Sequence, residues 1–225
     1  MNAISNPAAI AVRGLVKQFG RFAALRGVDA EFAAGKFYVI LGDNGAGKTT
    51  LLRSLAGLAQ PNRGEISIVG QTPRAAARSI GYMAHPSLLY DEFSGLENLR
   101  YFAQLYGISS DEPCARAIRS VGLDPALTRP VGQYSQGMRQ RMSLARAILH
   151  DPSILFLDEP FSNVDVQSTR TMAALLRGMC DADKTIFLVT HQAAVLEGIA
   201  DEFVWMRAGL IVARTATLTP PQENA

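Results

Sequence analysis

With 225 residues the chain is longer than one usual domain and shorter than two, so a single large domain with an inserted subdomain is expected. Hydrophobic residues at 48% and charged residues at 19% exclude the disordered and fibrous classes, and a net charge of +2 without any basic run argues against a chain that coats nucleic acid. No run of about 18 apolar residues occurs, and residues 1–10 carry neither the cationic start nor the apolar stretch of a signal peptide, so a cytoplasmic chain is expected.

In chain order, residues 10–19 and 27–32 alternate in the manner of antiparallel strands, and residues 64–69 do the same after a turn written Pro61-Asn62-Arg63-Gly64. Residues 37–41 form a short run that is apolar on both faces, the pattern of a central strand in a parallel sheet covered on both sides. Leucines at 51, 52, 55 and 58 give residues 50–58 helical spacing. Residues 96–106, 112–121 and 137–149 read as helices separated by Gly and Pro punctuation and form the expected insert. Residues 154–157 and 185–189 are two further apolar runs, each ending in polar residues. Ligands of parallel sheets gather at the carboxyl ends of strands, so the site is expected where these three runs deliver their polar residues. The tail after Thr215 is polar, contains Pro220-Pro221 and is expected to fray. Cys114 and Cys180 have no metal-ligand spacing and are expected as reduced thiols packed like small apolar groups, and Trp205 is expected in the core.

Gly42-Asp43-Asn44-Gly45-Ala46-Gly47-Lys48-Thr49 fits GxxxxGK[ST] between a strand and the helix that Thr50 continues. Glycines let backbone N–H groups face phosphate oxygens, the helix N-terminus adds partial positive charge, Lys48 reaches the terminal phosphates, and the Thr49 hydroxyl ligates Mg²⁺. The loop is read as the cradle of a nucleoside triphosphate. After the second apolar strand, Asp158 can hold Mg²⁺ through water and Glu159 can polarise the attacking water.

Tyr134-Ser135-Gln136-Gly137-Met138, followed by Arg139-Gln140-Arg141 and then by residues 154–159, resembles the signature and Walker B regions of ATP-binding-cassette (ABC) ATPases. The resemblance spans residues 11–207. It implies a P-loop NTPase: an α/β fold with a RecA-like parallel-sheet core, an N-terminal antiparallel β subdomain and an inserted α-helical subdomain. On that reading the core and β parts occupy about 10–84 and 151–213, and the helical part about 86–150. It also implies that Phe19 stacks on adenine, that Ser162-Asn163-Val164-Asp165 is the D-loop, and that His191 bridges the γ-phosphate and the attacking water, with Glu159 as base. Ser135 suits the cap of a helix starting near Gly137; in the family this serine and helix end face the γ-phosphate held by a second copy, with Gly137 and Asp165 also contributing across the dimer. Arg139 and Arg141 read as a solvated helix face.

Two departures from the family pattern bear on function. The usual Leu-Ser-Gly-Gly-Gln is altered at Tyr134, Gln136 and Met138, and one lost glycine restricts the turn. His85 stands where the family places the Q-loop glutamine; a neutral imidazole there can accept from metal-bound water or ligate the metal itself. With residues 96–101, His85 resembles the ATPase of haem exporters in cytochrome c maturation, whereas Ser-Gln-Gly-Met resembles drug or lipid-linked glycan exporters. The implied machine binds ATP and Mg²⁺ and works as a dimer of two copies. It sits on integral membrane subunits at the cytoplasmic face of the inner membrane, without nucleic acid. A soluble ABC ATPase acting on a protein scaffold or nucleic acid remains the alternative, its nucleic-acid forms disfavoured because there is no second cassette, long coiled-coil insert or basic excess. A small-molecule kinase or GTPase is disfavoured because no Asn-Lys-x-Asp occurs and the signature turn would be left unexplained.

Overall fold

The computed structural model describes residues 8–219. Strands β1 (Ala8–Phe19) and β2 (Phe22–Ala33) form a long hairpin, and β4 (Arg63–Ile68) pairs with β1 to complete a three-stranded antiparallel sheet, order β2-β1-β4. The second sheet has the order β5-β6-β7-β3-β8-β9. Its strands β3 (Phe37–Leu41), β5 (Ile80–Met83), β6 (Ile154–Asp158), β7 (Thr185–Val189) and β8 (Glu202–Arg207) run parallel, and β9 (Leu210–Thr215) closes one edge antiparallel to β8. The fold is the expected α/β P-loop architecture, with β3 between β7 and β8 at the centre.

The three apolar runs are strands whose five residues are all buried. Alternate residues on them face opposite layers, as the two-residue period of a strand requires. Tyr38, Ile40, Phe156, Phe187 and Val189 pack with Leu51, Leu52 and Leu55 of α1 (Lys48–Leu55) and with the inner face of the antiparallel sheet. Phe37, Val39, Leu155, Leu157, Ile186 and Leu188 face the other way, onto α5 (Val166–Asp181) and the inserted helices. Those are α2 (Gly95–Leu105), α3 (Glu112–Ser120) and α4 (Gln136–Ile148). The first layer is centred on Phe187, whose ring lies 4.9 Å from Phe32, 4.8 Å from Tyr38 and 5.3 Å from Phe156.

Several boundaries differ from the sequence reading. Helix α1 ends at Leu55, because Gly57 takes φ +74° and turns the chain; Leu58, assigned to the helix by spacing, is exposed. Arg63 and Gly64 already belong to β4. Gly64 has φ +86° at an irregularity against β1, where an added Cβ would sit 2.4 Å from the Gly14 carbonyl oxygen. Trp205 is half-buried at the edge of the core, with Nε1 donating to Thr215 Oγ1 at 2.9 Å. Cys114 and Cys180 are free and buried, as expected. Residues 216–219 are described without regular structure, and Pro220-Pro221 lies outside the described residues.

Candidate active site

The carboxyl ends of β3, β6 and β7 lie side by side, and the residues that follow them meet there. After β3 the chain must turn into α1 within six residues, and it does so through Gly42 (φ +144°), Gly45 (φ +81°) and Gly47 (φ +102°). Two of these also sit too close to neighbours for any side chain. A Cβ on Gly42 would lie 2.1 Å from the Met206 carbonyl oxygen, and one on Gly47 would lie 2.5 Å from that of Ala24. The loop is closed by Ala46 N–H donating to the Asp43 carbonyl at 3.1 Å. Lys48 Nζ reaches back across it to the carbonyl oxygens of Gly42 at 2.7 Å and Asp43 at 2.9 Å. Burial lowers the Lys48 pKa from its ordinary value, against the opposing charges of Glu159, Asp43 and Asp158.

Thr49 Oγ1 donates to Asp158 Oδ1 at 3.0 Å, joining the first turn of α1 to the end of β6. Burial raises the Asp158 pKa, while the Thr49 bond and the charges of His85, Arg53 and Lys48 pull it down. Glu159 takes φ +53°, a left-handed conformation that is unusual for a non-glycine residue, and its N–H donates to Val189 O at 2.9 Å. This bond ties the residue after β6 to the last residue of β7 and aims its carboxylate into the site. The Glu159 pKa is also raised, mainly by burial, with His191 opposing. The His191 backbone N–H donates to Glu159 Oε2 at 3.3 Å, and the imidazole Nε2 lies 3.4 Å from Oε1. A carboxylate and an imidazole thus stand 3.4 Å apart beside the glycine loop, an arrangement that can serve as a base and a polarising group.

Asn44, Gly45, Gly47, Lys48, Thr49 and Thr50 line a cavity of ≈ 250 Å³ together with Glu159 and His191. Its aromatic wall is Phe22, which the sequence reading did not single out; Phe19, across the hairpin turn, is 55% exposed under Lys17 Nζ at 5.0 Å from the ring centroid. Thr49 and Asp158 also border a larger cavity of ≈ 680 Å³, with His85, Tyr82, Arg53 and Arg146 around it. Tyr82 was missed as well. Burial and the nearby Asp158 carboxylate raise its hydroxyl pKa, so it stays protonated beside Asp158. His85 shares this cavity with Asp158, but among the described residues no group of three His, Cys, Asp or Glu side chains converges as a metal cage.

Ser135 and Gly137 line neither cavity. Ser135 caps α4, its Oγ accepting from Met138 N–H at 3.2 Å, as its place in the sequence suggested. Gly137 packs on the start of α5, where an added Cβ would be 3.3 Å from Ser168 Oγ. Asp165 caps α5, accepting from Ser168 N–H at 2.9 Å. The substituted signature is unstrained: Tyr134 and Ser135 have φ −75° and −61°, and Gln136 is the first residue of α4, so the lost glycine is not needed. Arg139 is not a solvated residue; only 23% of its side chain is exposed and it pairs with Asp91 at 2.7 Å.

Residues 25–162 match the family model described as ABC transporter. The chain is 34% identical over 201 residues to the ABC transporter ATP-binding protein NatA of Bacillus subtilis, covering 86% of this chain and 82% of NatA. It is 33% identical over 210 residues to a fluoroquinolones export ATP-binding protein of Mycobacterium tuberculosis, covering 91% of this chain and 69% of that one. Among solved structures, a dimeric ATP-binding cassette in a post-hydrolysis state bound to ADP and phosphate superposes with a TM-score of 0.82 at 22% identity, over 94% of this chain and 100% of the other. The chain therefore belongs to the ABC transporter family, as an ATP-hydrolysing, ATP-binding subunit of a transporter.

Proposed function

We propose that this chain powers an exporter: two copies close on two ATP molecules, hydrolyse them and reopen, and integral membrane subunits convert that cycle into transport at the cytoplasmic face of the membrane. The observation that carries the reading is the meeting of Lys48, Thr49, Asp158, Glu159 and His191 at three neighbouring strand ends. The backbone of residues 42–47 and Lys48 bind the phosphates. Glu159, kept from easy ionisation by burial, accepts the proton of the attacking water, and His191 holds that water and the γ-phosphate. Thr49 and Asp158 would hold Mg²⁺; their oxygens converge at 3.0 Å, and so small a protein ligand set suits an ion that keeps most of its waters. When bound, Mg²⁺ neutralises charge on the terminal phosphates.

The capped α4 N-terminus presents Ser135 outside the chain's own cradle, which suits an anion held by a second copy. Phe19, exposed at the hairpin tip, would be the ring that stacks on the base. No helix among the described residues is long and apolar enough to cross a membrane, and integral membrane subunits would provide the passage. Export is supported by the relative named for fluoroquinolone export. A narrower reading, haem export, rests on the resemblance carried by His85 and residues 96–101.

Recovering the chain from native membranes tests the exporter reading. Co-purification with an integral membrane protein is expected, and recovery with a soluble scaffold or nucleic acid alone overturns it. In proteoliposomes of that complex, ATPase stimulation by an amphipathic drug but not by haem removes the haem reading.

A further inference from the structure

The segment that follows His85 is fastened to the turn that carries Ser135. Asn98, fully buried on α2, holds residues 90–94: its Oδ1 accepts from Tyr90 N–H at 2.8 Å, and its Nδ2 donates to Tyr90 O at 3.0 Å and Ser94 O at 3.1 Å. Two backbone bonds then cross to the next strap of chain, Val131 N–H to Phe93 O at 2.8 Å and Gly132 N–H to Asp91 O at 2.9 Å. Arg139, in the first turn of α4, closes the fastening. Its Nη2 lies 2.7 Å from Asp91 Oδ1 and its Nη1 donates to Val131 O at 3.4 Å, while its backbone N–H donates to Ser135 O at 2.9 Å.

A cation in the first turn opposes the helix dipole, so its place there needs a reason. Asp91 supplies the compensating charge, and the guanidinium fork fixes direction as well as charge. The clasp makes one unit of the chain from Tyr90 to Phe93, the turn at 131–135 and the capped end of α4. Through this unit a displacement of residues 90–93 is carried to the turn at Ser135.

We propose that Arg139 is a positioning residue for the composite ATP site: through Asp91 it sets the angle at which Ser135 meets the nucleotide held by a second copy. The inference rests on the role across the dimer proposed for Ser135. A purely electrostatic role predicts the opposite sign for one variant, because Asp91→Asn would leave an unneutralised cation near the anion-facing helix end and tighten the dimer.

The test uses the full chain carrying Glu159→Gln, with ATP-dependent dimerisation followed by analytical ultracentrifugation and ATP affinity of the monomer by a fluorescent nucleotide. Asp91→Asn and Arg139→Gln are each expected to weaken dimerisation about tenfold with monomer affinity kept within about twofold, Arg139→Lys to weaken it less, and the exchange Asp91→Arg with Arg139→Asp to recover most of the loss. Unchanged or tighter dimerisation with Asp91→Asn, no recovery in the exchanged pair, or an equal loss of monomer affinity overturns the proposal. If the parent Glu159→Gln chain itself fails to dimerise with ATP, the composite site is wrong and the proposal falls with it.

Discussion

Replacing Glu159 with Gln separates the catalytic role proposed for it from its structural one. The amide keeps an oxygen for the His191 backbone N–H, 3.3 Å from Oε2 in the native chain, so the loop after β6 should hold its shape. A general base contributes about 10²–10⁴ in rate, equivalent to about 3–5 kcal/mol at roughly 1.4 kcal/mol per decade, and kcat should fall by that factor with little change in ATP affinity. Stability should move the other way. Burial raises the Glu159 pKa in the folded chain, so folding favours the protonated form: the native chain is relatively more stable below the ordinary glutamate range and loses that advantage as pH rises through the raised folded value. The Gln variant carries no such ionisation, so its thermal midpoint should exceed the native one at neutral pH and the difference should shrink toward about pH 4. The same raised pKa should move the acid limb of native kcat/KM, which reports the free chain, upward from where an ordinary glutamate would put it. Steady-state ATPase assays and thermal scans across pH measure all three. A variant that keeps more than about a tenth of native kcat, or that melts below the native chain at neutral pH, would falsify the assignment of Glu159 as a buried base.

Gly47→Ala should abolish ATP binding and destabilise the chain by about 1–3 kcal/mol, since the backbone is left-handed there and the new Cβ would press on Ala24 O; a variant that binds nucleotide normally by fluorescence titration contradicts the loop geometry. Ser94→Ala and Ser135→Ala both remove a helix cap and should each cost about 1 kcal/mol, or about 2–4 °C in thermal midpoint. Only the change at Ser135 should also impair ATP-dependent dimerisation. Phe187→Ala should cost about 3–5 kcal/mol in urea unfolding, because three aromatic rings pack on that side chain; a loss under about 1 kcal/mol would show that they do not act as one cluster.

What the sequence could decide by itself was local. The run 42–49 dictates its own conformation, because three glycines there take backbone angles denied to other residues and Lys48 folds back onto its own loop. Strands β3, β6 and β7 were legible because burial on both faces forces continuous apolar runs, and Ser135 because a cap acts three residues away. Strand β5 escaped notice: four residues show no period, and its Gly81 is set by contact with the Ala147 carbonyl, 2.4 Å from an added Cβ. Helix α5 and strands β8 and β9 also went unassigned in the reading by pattern. Only the tertiary structure decided the partners. Thr49 and Asp158 are 109 positions apart and Arg139 and Asp91 nearly 50, and no local preference encodes such pairs. The order of strands sets them, by laying β6 and β7 beside β3 so that Asp158, Glu159 and His191 converge on the glycine loop.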